Sequence, residues 1–367
     1  MTEREAYVAF NLTDRVGSVK VVELVSRYGS VVAAWEDYPS KVSRTGDEID
    51  WREEFRKAEK YKVDIVTPAD PGYPARLLEI PGHPLALYVK GDVKALSLPS
   101  VAIVGTRRAT SYGIDHAQRF AFDLAGAGWM VLSGLALGID AAAHRGALDA
   151  GGVTVGILGS GLDRFYPEEN RELAREIVAK GGAVVSEFPF GRPPDQQTFP
   201  IRNHVVAGLS TGLVAIEAPV KSGTLITTSI AADLGRTVMA LPGRVDNRMS
   251  AGCLNLIREG ATLVRNASDV MEALSRLIAV PLSPVKKPDG DEADDLDASP
   301  PVLPSVSVEE AQIMRHVDAE GLSLDELARL SELPFAKVNS LCMALRIKGR
   351  LRFLPGNRVA LPRPLPS

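Results

Sequence analysis

The run Val101-Ala-Ile-Val104 is wholly apolar and stops at Gly105. A polar turn, Thr106-Arg-Arg-Ala-Thr-Ser111, follows it, and apolar positions then recur at helical spacing over Asp115–Ala127. That is strand, turn, helix start. The cadence repeats three times. Met130-Val-Leu-Ser-Gly134 leads into Leu135-Ala-Leu-Gly-Ile-Asp140. Thr154-Val-Gly-Ile-Leu158 leads into Gly159-Ser-Gly-Leu-Asp163. Gly212-Leu-Val-Ala-Ile-Glu-Ala218 leads into Lys221-Ser-Gly-Thr224. Continuous apolar strands alternating with amphipathic helices restrict the chain to a parallel sheet covered on both faces.

In such sheets ligands bind in the crevice at the carboxyl ends of the strands. Glycine lets backbone amides approach a ligand, and serine or threonine adds a donor. Arg107 and Arg108 add planar guanidinium forks that match phosphate geometry. The expectation is a phosphate-group site at the first turn, on the N–H groups that open the following helix. The alternative is a tight turn whose arginines only face solvent. Ser133, Gly134, Gly159, Ser160 and Gly161 are candidates from the second and third turns, and Lys221, Ser222, Gly223 and Thr224 from the last.

Nothing in the pattern calls for catalysis. No Gly-x-x-x-x-Gly-Lys-Ser/Thr run exists, and the first turn lacks Gly-x-Gly-x-x-Gly, so neither P-loop hydrolysis nor NAD binding is supported. Asp140, Glu187 and Glu217 near strand ends fit helix capping or bonds to loop amides better than acid–base work. His144 reads as a packing residue. Neither a catalytic residue nor a cofactor is expected. The five histidines form no metal-ligand spacing with Cys253 or Cys342, so no metal is expected, and two distant cysteines suit a reducing compartment. No apolar run is long enough to span a bilayer, and no signal-peptide pattern follows Met1, so no membrane insertion is expected. A net charge of −4 does not advertise nucleic-acid binding, but an acidic linker can mask a local basic groove.

Four segments follow. Residues 1–61 carry helical spacing over Glu5–Leu12 and Val19–Tyr28, punctuated by Gly17 and Gly29. This fits a small helical domain of SAM or helix–hairpin–helix kind, either a contact for a nucleic-acid backbone or a helical cap. Residues 62–280 form the Rossmann-like α/β domain. Its strands are expected at Asp64–Thr67, Ala86–Val89, Val101–Val104, Val131–Ser133, Thr154–Leu158, Ala183–Ser186, Leu213–Glu217, Val238–Leu241 and Thr262–Val264. Further helices are expected at Arg171–Lys180 and Ile226–Leu234. Residues 281–306 hold six prolines around the acidic run Asp289–Asp297 and read as a disordered linker. Residues 307–363 read as a winged helix: helices Glu309–Ala319, Ser323–Leu330 with a Ser-x-x-Glu capping box, and Phe335–Lys348, then a hairpin over Leu351–Leu361. The third helix offers few cations, chiefly Lys337, Arg346 and Lys348. Groove reading and protein contact both stay open for it.

The chain resembles the DNA-processing protein A (DprA/Smf) family. The likeness rests on Ile103-Val-Gly-Thr-Arg-Arg108, Ser133-Gly-Leu-Ala-Leu-Gly-Ile-Asp-Ala-Ala-Ala-His144, Gly156-Ile-Leu-Gly-Ser-Gly161 and Tyr166-Pro-Glu-Glu-Asn170. It continues through Ser186-Glu-Phe-Pro189, Phe199-Pro-Ile-Arg-Asn203, Lys221-Ser-Gly-Thr224, Leu241-Pro-Gly243 and Gly252-Cys-Leu-Asn-Leu-Ile257. The resemblance implies a dimeric, non-enzymatic, cytoplasmic protein that binds single-stranded DNA in natural transformation and loads the RecA recombinase. It implies DNA contacts at Gly105, Thr106 and Arg107, at Lys221, Ser222 and Gly223, and at Arg202 and Asn203. It places the dimer interface at Leu254, Leu256 and Ile257. Where the family usually reads Arg-Asn-Arg, this chain has Arg202-Asn203-His204, which would make binding weaker or partly pH-dependent if the third position touches DNA. Two other classes compete. One is a nucleotide hydrolase of the lysine-decarboxylase-like group, whose Pro-Gly-Gly-x-Gly-Thr run is replaced here by Val220-Lys-Ser-Gly-Thr224. The other is a transcription regulator working through residues 307–363.

Overall fold

The computed structural model describes residues 1–14, 16–39, 41–43, 46–275, 308–318 and 321–331. It also describes residues 333, 335, 337, 338, 341, 342, 345, 351–354 and 358–361. The linker expected at 281–306 lies outside them. The chain divides into two compact units, Met1–Lys286 and Lys287–Ser367.

The first unit opens with helices α1 (Glu3–Leu12), α2 (Ser18–Tyr28), α3 (Val31–Glu36) and α4 (Trp51–Tyr61). There follow β1 (Asp64–Val66), α5 (Ala75–Leu78), β2 (Leu87–Gly91), β3 (Ser100–Val104), α6 (Ser111–Gly126), β4 (Met130–Ser133), α7 (Ile139–Asp149) and β5 (Thr154–Ile157). Then come α8 (Arg171–Ala179), β6 (Ala183–Ser186), α9 (Thr198–Leu209), β7 (Gly212–Ala215), α10 (Gly223–Asp233), β8 (Thr237–Ala240), α11 (Ala251–Arg258), β9 (Thr262–Leu263) and α12 (Ala267–Ser275). All nine strands join one sheet in the order β1-β2-β6-β5-β4-β3-β7-β8-β9. From β6 to β9 every neighbouring pair is parallel. Strands β3 to β6 step one way and β7 to β9 the other, so the order reverses between β3 and β7, where Ile103 lies beside Val214. One face of the sheet buries Phe120, Leu124, Ile139 and Ala143 from α6 and α7, with Val270 and Leu274 from α12. The other buries Leu77, Val205, Val206, Leu209 and Ala231 from α5, α9 and α10.

The strands fall within two residues of their expected ends. The direction differs for one of them: β2 pairs antiparallel with both β1 and β6, so β2 alone runs against the rest of the sheet. The sheet is therefore mixed, not wholly parallel. An apolar run signals a strand but carries no direction. The one-turn helix α5 is too short to serve as the crossover a parallel pair requires.

The N-terminal helices have their own core around Phe10, Leu24, Ala34 and Trp35, with the Phe10 and Trp35 rings edge to face at 5.1 Å. They do not stand apart from the sheet. Val8 and Ala58 pack with Ile65, Tyr88 and Phe190 at the antiparallel edge. The buried Glu54 carboxylate accepts the Phe190 N–H at 2.7 Å. Arg4 Nη2 donates to the Ile65 carbonyl. Residues 1–61 thus sit in the same compact unit as the sheet.

The second unit contains α13 (Val308–Met314), β10 (Leu322–Ser323), α14 (Leu324–Ser331), β11 (Arg352–Leu354) and β12 (Arg358–Ala360). Its strands run β10-β12-β11. The Ser323–Glu326 capping box forms as the sequence signals: Ser323 N–H donates to Glu326 Oε2 at 3.1 Å and Glu326 N–H to Ser323 Oγ at 3.2 Å. Between α14 and β11, residues 335, 337, 338, 341, 342 and 345 are helical, and Val338, Cys342 and Leu345 join the core with Leu327 and Val359. Arg346 and Lys348 lie outside the described residues.

Candidate nucleic-acid interface

The carboxyl ends of β3 and β7 flank the point where the strand order reverses. Loops 105–110, 134–138 and 219–222 and one face of α9 enclose a cleft of about 350 Å³ there. Arg107, Arg108 and Lys221 stand exposed at its mouth, and Arg202 is buried against its floor. Asp140 is the one acidic residue lining it. The cleft therefore carries an excess of positive charge that the chain's net charge conceals.

The helix that follows the first turn is not open to a ligand. The Glu217 carboxylate, at the end of the β7 run, accepts the Thr110 N–H at 2.9 Å and the Thr110 hydroxyl at 2.6 Å. Gly113 makes room for it, since a Cβ there would lie 2.4 Å from Glu217 Oε2. An internal anion already fills the N-terminus of α6, and this corrects the expectation of a ligand anion on that helix. The open helix start is that of α10. Its N-cap, Ser222, makes no side-chain cap bond, and the buried Ser222 hydroxyl has no partner. Thr224 and Thr227 line the cleft beside it. Unpaired N–H groups and the helix dipole favour an anion at such a position.

The other candidates divide by geometry. Gly105, Thr106, Gly134, Asn203, Gly223 and Thr224 line the cleft. Arg202 lines it too, but its Nη1 donates to the Gly134 and Ile157 carbonyls, so it braces two loops and lends charge from below. Ser133, Ser160 and Gly161 do not reach it. The Ser133 hydroxyl donates to the Ile103 carbonyl at 2.6 Å, Ser160 is buried, and the Gly161 N–H bonds the Arg192 carbonyl at 2.9 Å. Gly159 lines a smaller recess alongside, with Tyr166 and Phe199. His204 turns away: its Nε2 lies 2.9 Å from the Pro81 carbonyl, so the departure from Arg-Asn-Arg falls outside the cleft. Sequence reasoning missed Phe199, whose ring carries the Arg107 guanidinium at 5.1 Å. The available signal was its spacing, three and four residues before Arg202 and Asn203 on one helix.

Asp140 and Glu217 act as bonding partners for loop and cap amides, as the sequence suggests. Asp140 Oδ2 accepts the Gly134 and Ala136 N–H groups at 3.1 and 3.3 Å. Burial raises its pKa, against the pull of Arg202 and those amides. His144 is buried, with Nδ1 2.7 Å from Thr154 Oγ1. That hydroxyl already donates to the Val131 carbonyl, so Nδ1 carries the proton. Burial, and then the Arg202 charge, push the His144 pKa down to about 3. An unfolded histidine binds a proton below about pH 6.5, whereas this one does not until far lower. Stability is therefore lost as pH falls from that value, by about 1.4 kcal/mol per unit. Urea midpoints should show about 2 kcal/mol less stability at pH 5 than at pH 7.5 from this residue alone. His144→Gln should flatten that dependence, and an unchanged slope would place its origin elsewhere.

The interface candidates Leu254, Leu256 and Ile257 are half-buried on α11. Leu256 and Ile257 pack with Leu225 onto Ala215, Ala218, Ala240 and Cys253. Leu256 also borders a broad groove with Val220, itself 56% exposed. These side chains are thus part core and part surface.

Residues 64–275 match the family described as DNA recombination-mediator protein A, and residues 297–357 match the DprA winged helix domain. Protein Smf of Synechocystis is 30% identical over 97% of this chain and 98% of its own length. The DNA processing protein DprA of Streptococcus pneumoniae is 38% identical over 61% of this chain and 77% of its own. The X-ray structure of DprA from that species is similar with a TM-score of 0.62 at 32% identity, covering 74% of this chain and 98% of the other. The DNA processing protein A of Helicobacter pylori, solved for its single-stranded DNA binding mode, gives 0.53 at 31% identity, covering 59% and 98%. With sheet, cleft and likeness in agreement, the chain belongs to the DNA recombination-mediator protein A family.

Proposed function

We propose that this protein binds single-stranded DNA in the cleft between β3 and β7, protects the incoming strand in natural transformation and loads RecA onto it, without catalysing a reaction. The observation that carries this reading is the open N-terminus of α10, with its unpartnered Ser222 hydroxyl, facing a cleft mouth that carries Arg107, Arg108 and Lys221. Such a site suits phosphate oxygens, and the neighbouring Phe199 and Tyr166 rings suit bases freed from a duplex. The absence of a catalytic role is supported by two of the three carboxylates near strand ends. Asp140 is committed to loop amides and Glu217 to the α6 cap.

A homodimer through the α11 surface completes the proposal. Val220 is exposed at the α11 groove, Ile226 and Leu263 are exposed on α10 and β9, and β9 is the outermost strand of the sheet among the described residues. We place the protein in the cytoplasm. No helix among the described residues is long and apolar enough to cross a membrane. The proposed division of labour keeps DNA binding in residues 62–280, with residues 1–61 as a helical domain packed on the sheet edge, 307–363 as a flanking domain and 281–306 as a linker.

Labelled oligo-dT and a matching duplex, titrated over a salt series, test the reading. Oligo-dT should bind more tightly, with a salt slope of about 0.7 per phosphate contact. Light scattering on the same sample should give the mass of two chains. Equal affinity for both DNAs, or no binding of either, would overturn the single-strand assignment.

A further inference from the structure

One residue remote from the cleft is built into the loop that shapes it. Leu135 has φ +54, in the left-handed region that non-glycine residues seldom occupy. Its side chain is wholly buried with Leu148, Leu158 and Leu173, and Gly156 clears space for it, since a Cβ there would lie 2.3 Å from Leu135 Cδ1. A conformation of this kind persists only where its surroundings enforce it.

Asn170 is 3% exposed and sits on the turn before α8, outside both the cleft and its strands. Its Nδ2 donates to the Leu135 carbonyl at 2.8 Å and to the Ala136 carbonyl at 3.0 Å. Asp140 holds the amides of the same loop from the other side. The loop's far end bears on the DNA-facing turn. Gly138 has φ +76, a Cβ there would meet the Thr106 oxygen at 2.4 Å, and the Ile139 N–H bonds that same oxygen at 3.3 Å. Asn170 thus connects through Leu135, Ala136 and Gly138 to the backbone that carries Arg107.

We infer that Asn170 is a positioning residue for the single-strand site, holding loop 134–138 in the left-handed turn that sets the Arg107 backbone. The inference rests on the cleft being that site. Asn170→Asp is nearly isosteric but loses both donors and sets a carboxylate against two carbonyls. It should weaken oligo-dT binding about 10-fold, measured well below the variant's melting midpoint. The salt slope should stay unchanged, because every cation remains. Amide exchange over residues 134–138 should quicken. Asn170→Ala should act in the same direction, and Asn170→Ser decides if either fails to fold. A folded variant with wild-type affinity and wild-type exchange would overturn the inference, as would a lower melting point with unchanged affinity. Arg107→Ala, run alongside, separates the two failures. Weak binding by Arg107→Ala with normal binding by the Asn170 variants removes only Asn170, whereas normal binding by Arg107→Ala removes the cleft itself.

Discussion

Alanine at both Arg107 and Lys221 is expected to lower affinity for oligo-dT by about 100-fold or more at moderate salt. Each charge-assisted contact contributes about 1.5–3 kcal/mol, and the two cations flank the same cleft mouth from the ends of β3 and β7. The loss should be similar for every base sequence, because phosphate contacts carry no base code. The salt dependence should become shallower by about 1.4, two contacts at about 0.7 each. Removing Arg107 also uncovers the Phe199 ring, so that single variant should lose more than the lysine variant. A folded double variant with the wild-type salt slope would take both side chains out of the interface.

Asp140→Ala should be the most destabilising single change around the cleft. Gly134 lies between its carboxylate and the Arg202 guanidinium, as a Cβ at Gly134 would fall 2.8 Å from Asp140 Oδ2 and 2.3 Å from Arg202 Nη1. Deleting the carboxylate strands two loop amides and leaves a buried cation without its counter-charge. The expected cost is about 3–5 kcal/mol, a fall in melting temperature of about 6–20 °C for a unit of this size. Asp140→Asn keeps an acceptor for the amides and should cost less. Scanning calorimetry of both variants checks the order, and equal melting points would show that the charge opposite Arg202 contributes nothing.

Much of this arrangement is legible in the chain, and what is not has a physical cause. Apolar runs ending in glycine locate the parallel strands, and Gly105, Thr106, Arg107, Lys221 and Ser222 follow from where those runs stop. The reversal of β2 is hidden, because side-chain pattern carries no polarity. The filling of the α6 N-terminus is hidden as well, because Glu217 lies 107 residues from Thr110 and only the pairing of β3 with β7 brings them together. Arg202 reads as a free cation until its two carbonyl partners are seen. Ser133, Ser160 and Gly161 have the composition of ligand-binding turns, yet the Ser133 hydroxyl donates to the Ile103 carbonyl, the Ser160 carbonyl accepts the Ser186 hydroxyl and the Gly161 N–H bonds the Arg192 carbonyl.

The two rims of the nine-stranded sheet are unlike. At the β1 rim, helices α1 and α4 pack over the strand and the Ile65 carbonyl is occupied by Arg4. At the β9 rim, Thr262 and Leu263 face solvent. Exposed strand rims are templates for uncontrolled stacking of copies. Open-ended growth needs a receptive strand on each side of every copy, and this chain has one side sealed. Stacking of copies through the β1 rim is therefore opposed by the chain's own helices. The helical segment that looks like an appendage at the start of the chain doubles as a cover for a sheet rim that would otherwise stand open.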